Sequence, residues 1–287
     1  MKRILISIII FVLTLPVFAA FDYMPGNVLA KTLSGNTAAW VSGIDNITVN
    51  PASITGVKNL DFYISYENMY LFTHTFAAAV GYNSGFGGLG FKYSEFFVIG
   101  DYANTDSIIS SNTRLHTERV GQLTYGLAFD EYFSIGANVN LLYLQQLDYG
   151  DNIYYTIDLG AVGTVYDRWT IGVSVANITA SYVNGLMENY RYYMDRSISA
   201  GLSFQPYDGV TTLFNVSKSA GYPTSFGFGL IYELLKDRFM ITASAKSYPM
   251  EYGAGFRVKV NRFSLDYGYT AATALTGNHH IQLNYAF

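Results

Sequence analysis

The sequence predicts an all-β fold: a transmembrane antiparallel β-barrel of about 14 strands with a short N-terminal luminal plug. Three observations predict it. First, from about residue 59 onward, segments of roughly ten residues alternate large apolar with small or polar side chains. A period of two places one set on each face of a strand. Second, the chain is 50% hydrophobic and 13% charged, against roughly 25% charged in soluble domains. Its mean hydropathy is only +0.18, and after residue 20 no apolar run reaches the ~18 residues of a membrane helix. Third, the connections between alternating segments are short and long by turns, as at the two rims of an outer-membrane barrel.

The bulk numbers exclude several classes. A net charge of −4 and a pI near 5.5 leave no electrostatic footprint for nucleic acid. The absence of cysteine removes disulfides, thiolate metal sites and cysteine nucleophiles.

At the N-terminus, Lys2 and Arg3 precede an apolar stretch from Ile4 to Val17, broken at Pro16 and followed by small residues. This is the order of a secretory signal peptide, residues 1–19, with cleavage after Ala19. Residues 20–58 do not alternate and are expected to form a folded plug, because about fourteen strands enclose more space than side chains fill. Trp40, Val41, Ile44, Ile47 and Val49 are too apolar for a solvated tail. Asn50-Pro51 starts a rigid turn.

Residues 59–287 supply the barrel. Strands are expected near 59–67, 71–82, 85–93, 116–130, 133–146, 153–166, 169–177, 196–206, 209–218, 222–233, 237–246, 249–259, 262–271 and 277–287. In Phe133-Ser-Ile-Gly-Ala-Asn-Val-Asn-Leu141 the odd positions are apolar and the even ones Ser, Gly or Asn. The same register recurs in Trp169–Val175, Ile198–Phe204 and Phe263–Tyr269. Short turns are expected at Asn83-Ser84, Asp130-Glu131, Tyr166-Asp167-Arg168, Tyr207-Asp208 and Asn261, and long connections at 94–115, 147–152, 178–195 and 272–276. Tyr82, Tyr93, Tyr143, Tyr166 and Tyr232 end strands as interfacial girdles do.

The inward face repeatedly shows glycine: Gly90, Gly126, Gly136, Gly160, Gly172, Gly201, Gly227, Gly229, Gly253, Gly255 and Gly268. Glycine weakens a strand unless a backbone or ligand must come close, so this wall is expected to accommodate the plug. Lys92, Glu118, Asp158, Lys246, Glu251, Arg257 and Asp266 are the inward ionisable residues of an expected lumen polar network, with Glu251, Arg257 and Asp266 placed to pair. Leu142, Leu144, Val162 and Ile231 are the inward apolar residues for a hydrophobic ligand. His279 and His280 are adjacent in a strand and face opposite ways, so they cannot share a metal. No nucleophile–base constellation is present, and neither an enzyme nor a cofactor or metal is expected.

The run from Gly35 to Ala52 resembles the N-terminal region of the FadL-type and PorV-type outer-membrane barrels. Gly35 falls on the small-residue start, Asp45 and Asn46 on the acidic turn, and Asn50, Pro51 and Ala52 on the Asn-Pro-Ala core. Phe62–Tyr66 and Gly85–Tyr93 resemble the first hairpins of the PorV-like branch. Two positions depart from the pattern: Ser53 replaces the usual glycine, and Asn46 the second aspartate. The chain is also shorter than the fatty-acid transporters. The C-terminal Ile281–Phe287 alternates throughout and ends on Tyr285 and Phe287, resembling the strand read by the barrel assembly machinery of diderm bacteria.

The resemblance implies an outer-membrane location, outer-membrane lipid and the assembly machinery as partners, and FadL-like passive transport of small hydrophobic compounds. The alternative it implies is a PorV-like docking or shuttle subunit of a secretion system. That reading would use an apolar patch on 94–115 (Val98, Ile99, Ile108, Ile109) or on 178–195, offered to secretion-system subunits.

Overall fold

The computed structural model describes residues 26–69, 73–103, 109–179, 182–184, 191–235, 238–272 and 277–287. Fourteen strands close into a single antiparallel barrel. In chain order its strands are β1 (Leu60–Met69), β2 (Thr73–Asn83), β3 (Gly88–Ala103), β4 (Ile109–Ala128), β5 (Phe133–Gln146), β6 (Gly150–Val165), β7 (Trp169–Ala176), β10 (Ser197–Tyr207), β11 (Val210–Ser219), β12 (Ser225–Leu235), β13 (Phe239–Ser247), β14 (Met250–Val260), β15 (Phe263–Ala272) and β16 (Asn278–Ala286). Two three-residue strands, β8 (Tyr182–Asn184) and β9 (Arg191–Tyr193), form a separate hairpin between β7 and β10. Closure is made by β1 against β16, from Asp61 opposite Ala286 to Asn68 opposite His279. It leaves no free sheet edge.

Alternation sorts the side chains. On β1, Tyr63, Ser65 and Glu67 are buried inward while Phe62, Ile64 and Tyr66 lie exposed on the outer wall. On β5, Ile135, Val139 and Leu141 face out, and Ser134, Asn138, Asn140 and Leu142 face in. An apolar cylinder of this extent is a lipid-facing surface and not a water-facing one. No helix among the described residues is long and apolar enough to cross a membrane; the strands do so.

The expected turns at Asn83-Ser84, Asp130-Glu131, Tyr166–Arg168, Tyr207-Asp208 and Asn261 all fall on one rim, the same one that carries the start of β1 and the end of β16. We call it the terminal rim, and the other the distal rim. Positive φ at Tyr166 (53°), Asp167 (58°) and Asn261 (57°) makes these turns tight.

Residues 94–115 are not a long connection. β3 continues to Ala103 and β4 begins at Ile109. A register shift between Val98 and Ile99 interrupts the alternation there, and such a bulge hides a strand from a period-2 reading. Val98 and Ile99 are partly buried strand residues rather than a loop patch, while Ile108 lies outside the described residues.

Candidate functional site

Residues 26–58 lie inside the lumen, and short-range asparagine chemistry shapes them. Asn27 caps the helix α1 (Val28–Thr32), its Oδ1 accepting from Leu29 N at 2.7 Å. The helix ends where Ser34 (φ 52°) and Gly35 (φ 69°) turn left-handed, with Gly35 N donating to Ala30 O at 2.9 Å. A 3-10 helix at Gly43–Asn46 follows. Asn46 holds the preceding loop closed: Thr37 Oγ1 donates to its Oδ1 at 2.6 Å, and its Nδ2 donates to Thr37 O and Trp40 O, each at 2.7 Å. A second 3-10 helix, Pro51–Gly56, starts from Asn50, whose Oδ1 accepts from Ala52 N at 3.1 Å. Asn50 Nδ2 also donates to Ala38 O at 2.6 Å and to the wall carbonyl of Ala161 at 3.2 Å.

The inner wall is cut to receive this segment. All eleven glycines named from the sequence stand against it, joined by Gly81 and Gly88. Gly88, Gly126, Gly136 and Gly160 are directly opposed across four strands, and so are Gly172 with Gly201 and Gly255 with Gly268. A Cβ on Gly136 would lie 2.5 Å from Ala52 N, one on Gly255 2.6 Å from Thr32 Cγ2, and one on Gly88 2.8 Å from Ile54 O. Several of these neighbours are backbone atoms, which cannot swing aside. Close backbone approach, and not relief of barrel strain, accounts for the glycines.

Polar contacts complete the seat. Thr32 Oγ1 and Thr242 Oγ1 lie 2.8 Å apart, as do Ser34 Oγ and Ser244 Oγ. Gln282 Oε1 accepts from Val28 N at 3.0 Å. Asn138 and Gln122 donate to Ile47 O at 2.9 and 3.2 Å. A guanidinium joins plug to wall: Arg257 donates from Nε and Nη2 to Asp266 at 2.6 and 2.7 Å, and from Nη2 to Asp45 at 2.8 Å. Asp45 also accepts from Asn27 Nδ2. Burial, with the Asp266 carboxylate alongside, raises the Asp45 carboxyl to about 6 against the pull of Arg257.

Above the glycines, towards the distal rim, register stacks the inward side chains of β3–β6 into rows. Gly90, Thr124, Asn138 and Asp158 form one row; Lys92, Gln122, Asn140 and Thr156 the next; Ser94, Val120, Leu142 and Tyr154 the third. Apart from Gly90, the lower two carry hydroxyl, amide and charged groups. The third begins an apolar cluster of Val120, Leu142, Leu144 and Tyr154, covered by Met194 from the β7–β10 connection. Across β3–β6 the polar rows thus give way to an apolar one, a step in polarity along the axis.

The predicted site residues fall into separate groups. Gly35, Asp45, Asn46, Asn50, Pro51 and Ala52 all belong to the luminal segment and are largely buried. Arg257 and Asp266 pair as expected, but Glu251 does not join them, being opposite Lys246 and Ala272. Lys92 donates to Thr48 Oγ1 at 2.8 Å. Glu118 pairs with His116 at 2.9 Å. Asp158 accepts from Asn138, Asn140 and the Asn177 backbone at 3.2, 2.7 and 2.9 Å. Leu142 and Leu144 share the distal cluster, whereas Ile231 packs with Leu33 and Leu213; the four apolar candidates do not make one pocket. Tyr285 meets Phe263 and Phe287 edge-on, with ring centroids 4.7 and 4.6 Å apart, at the terminal rim.

The sequence reading missed one group. Thr75 donates to Glu67 at 3.1 Å, Glu67 lies 3.2 Å from His280 Nδ1, and His280 Nε2 lies 3.0 Å from Thr270 Oγ1. Inward parity of Glu67 and His280 was the available signal. His279 faces out, against Tyr267. No group of three His, Asp or Glu able to hold a metal occurs among the described residues.

No family model matches the chain. No curated protein matches it either. Solved structures do. The toluene transporter TodX of P. putida superposes with a TM-score of 0.72 at 9% identity, covering 93% of this chain and 99% of its own. The CymD monoaromatic hydrocarbon channel gives 0.66 at 12%, covering 93% and 99%. A Pseudomonas aeruginosa FadL homologue gives 0.58 at 12%, covering 94% and 100%. What this chain shares with these proteins, over nearly the whole of their length and its own, is the fold of a closed fourteen-strand barrel.

Proposed function

We propose that this protein is an outer-membrane channel for the passive passage of small apolar compounds, with residues 26–58 as its plug. The observation that carries the reading is the buried apolar cluster of Val120, Leu142, Leu144, Tyr154 and Met194, set in the lumen on the distal side of the plug. Unlike the apolar wall residues that pack against the plug, this cluster contains no plug residue, and such an apolar step offers a hydrophobic solute a place to leave water. The fold similarity to a toluene transporter and a monoaromatic hydrocarbon channel supports the same class of cargo. The glycine belt fits a plug held by surface contacts and tied covalently only where residues 57–59 lead into β1, so that it can shift without unfolding the wall.

The reading includes export through residues 1–19, which lie outside the described residues, and assembly through the Tyr285–Phe287 end. It assigns no catalytic step. The test is uptake of labelled toluene by sealed vesicles carrying the purified protein. Entry faster than in protein-free vesicles, saturable and competed by other arenes, supports the proposal; equal rates in both sink it.

A further inference from the structure

A bulge turns an arginine onto the outer wall. On β4 the even positions Val120, Gln122 and Thr124 are buried inward, and the odd Leu123 and Tyr125 lie exposed outside. That parity aims Arg114 into the lumen. However, Val98 is opposite His116 and Ile99 is opposite Arg114, which leaves Leu115 as an extra residue. Past such a bulge the side chains change face. Arg114 thereby meets Glu95 of β3, its Nη1 donating to Oε1 at 2.8 Å, and Arg119 Nε donates to the same oxygen at 3.0 Å. Both arginines are well exposed, while Glu95 is mostly covered. Arg114 Cζ lies 4.2 Å from the centre of the Phe97 ring, and Arg119 Cζ 5.4 Å from that of Tyr143. Asp151 of β6 accepts from the Tyr143 hydroxyl.

The height of the pair on the wall decides what it meets. Arg119 is opposite Tyr143, and from Phe133 at the terminal rim to Tyr143 the strand β5 covers the ~9–11 residues that cross a membrane. The arginines therefore stand at the distal end of the apolar band, where lipid headgroups begin and outward charge is tolerated. Short turns mark the periplasmic rim of such barrels, so the distal headgroups are those of the outer leaflet. One arginine suffices to neutralise Glu95; the second leaves a net positive charge. Glu95 takes one N–H from each guanidinium, of the five that each carries. The aromatic rings add cation–π contacts that hold the two groups in place. Towards the membrane centre Phe91, Leu123 and Leu141 lie exposed on the same wall. A molecule satisfying both parts has a phosphate for the arginines, which bind it bidentately, and acyl chains for the wall.

We infer that Arg114 and Arg119 form a site on the outer wall for the headgroup phosphate of an outer-leaflet glycolipid. The phosphate accepts from the N–H groups that Glu95 leaves, and the acyl chains lie along β3–β5. The inference rests on the outer-membrane location in the reading above and uses nothing of its cargo. A barrel that passes no toluene can still hold the lipid.

The probes are bisphosphorylated lipid A, the same lipid with both phosphates removed, and inorganic phosphate. Each lipid is added to the full chain in detergent micelles, and the lipid retained is counted by native mass spectrometry. The expected result is the bisphosphorylated lipid held at least about tenfold more tightly than the dephosphorylated one, and not displaced by excess inorganic phosphate. Arg114→Gln and Arg119→Gln each weaken that retention at least about tenfold, in chains whose heat-modifiable gel shift shows a folded barrel. Lys218→Gln changes the net charge equally by removing an outward cation of β11, which donates to Tyr222 O, and keeps retention within about twofold. Equal retention of the two lipids by the wild type overturns the inference without any variant. An equal loss in Lys218→Gln also overturns it, reducing the effect to net charge, as does displacement by inorganic phosphate, which makes the site one for the free ion. Lipid held without toluene uptake sinks the channel reading and leaves this site standing; uptake without retained lipid does the reverse.

Discussion

Arg257 and Asp45 lie 2.8 Å apart although 212 residues separate them, and the same guanidinium is held at 2.6 Å by Asp266 of the neighbouring strand. One cation thus serves two carboxylates, one fixed in the wall and one on the plug. Arg257→Met leaves the two acids facing each other without it. Removing one partner of a buried ionic group costs about 3–5 kcal/mol, and here the plug is the part free to yield. Asp45→Asn leaves the Arg257–Asp266 pair intact and replaces a carboxylate whose buried charge is unfavourable with a neutral amide. Limited proteolysis of the plug in folded barrels at neutral pH is expected to accelerate strongly in the first variant and not in the second.

The same trio predicts a pH dependence. The Asp45 carboxyl, raised to about 6 in the seated plug, would titrate near 4 in a released one. The seated state therefore binds the proton more tightly. Its stabilising contribution is complete below about pH 4 and is lost as pH rises through about 6. Plug protection from protease should fall across that window and level off above it, and Asp45→Asn should flatten the curve.

Glycine substitutions separate plug seating from barrel folding. In Gly136→Ala the new methyl group meets Pro51 O and Ala52 N, both at 2.5 Å, and neither backbone atom can move alone. Gly121→Ala on β4 meets nothing within 4 Å. Both barrels should fold, as read from a heat-modifiable shift on gels, but only Gly136→Ala should raise single-channel conductance. Equal conductance in the two variants would remove the role assigned to the belt.

Asn50 ties two parts of the plug and the wall through one amide, donating to Ala38 O and Ala161 O at 2.6 and 3.2 Å. Asn50→Ala leaves those carbonyls short of a donor and removes the cap of the second 3-10 helix. The expected cost is about 2–3 kcal/mol of plug stability, seen as faster amide exchange across 36–57 with the strands unchanged.

Much of this architecture was legible in the residues because a half-wet, half-greasy strand repeats every second position. Phe133–Leu141 announces its two faces without any knowledge of the fold, and the inward glycines could be read off the same parity. The stretch around Val98 and Ile99 was not legible, since a bulge there breaks the period. The plug has no period, so Asn-Pro and its neighbours marked a turn but gave no path. Arg257 with Asp266 followed from adjacent strands. Asp45 could not, because no local rule brings residue 45 to residue 257. The outward turn of Arg114 likewise appears only once the bulge is placed.

The central claim is that the plug governs passage through the lumen, and a reversible lock tests it most directly. The chain has no cysteine of its own, and the hydroxyl oxygens of Ser34 on the plug and Ser244 on β13 are 2.8 Å apart. Ser34→Cys with Ser244→Cys places a disulfide between plug and wall. Toluene uptake by vesicles carrying this variant should drop at least about tenfold on oxidation and return when the disulfide is reduced. Undiminished uptake with the disulfide formed would contradict the claim.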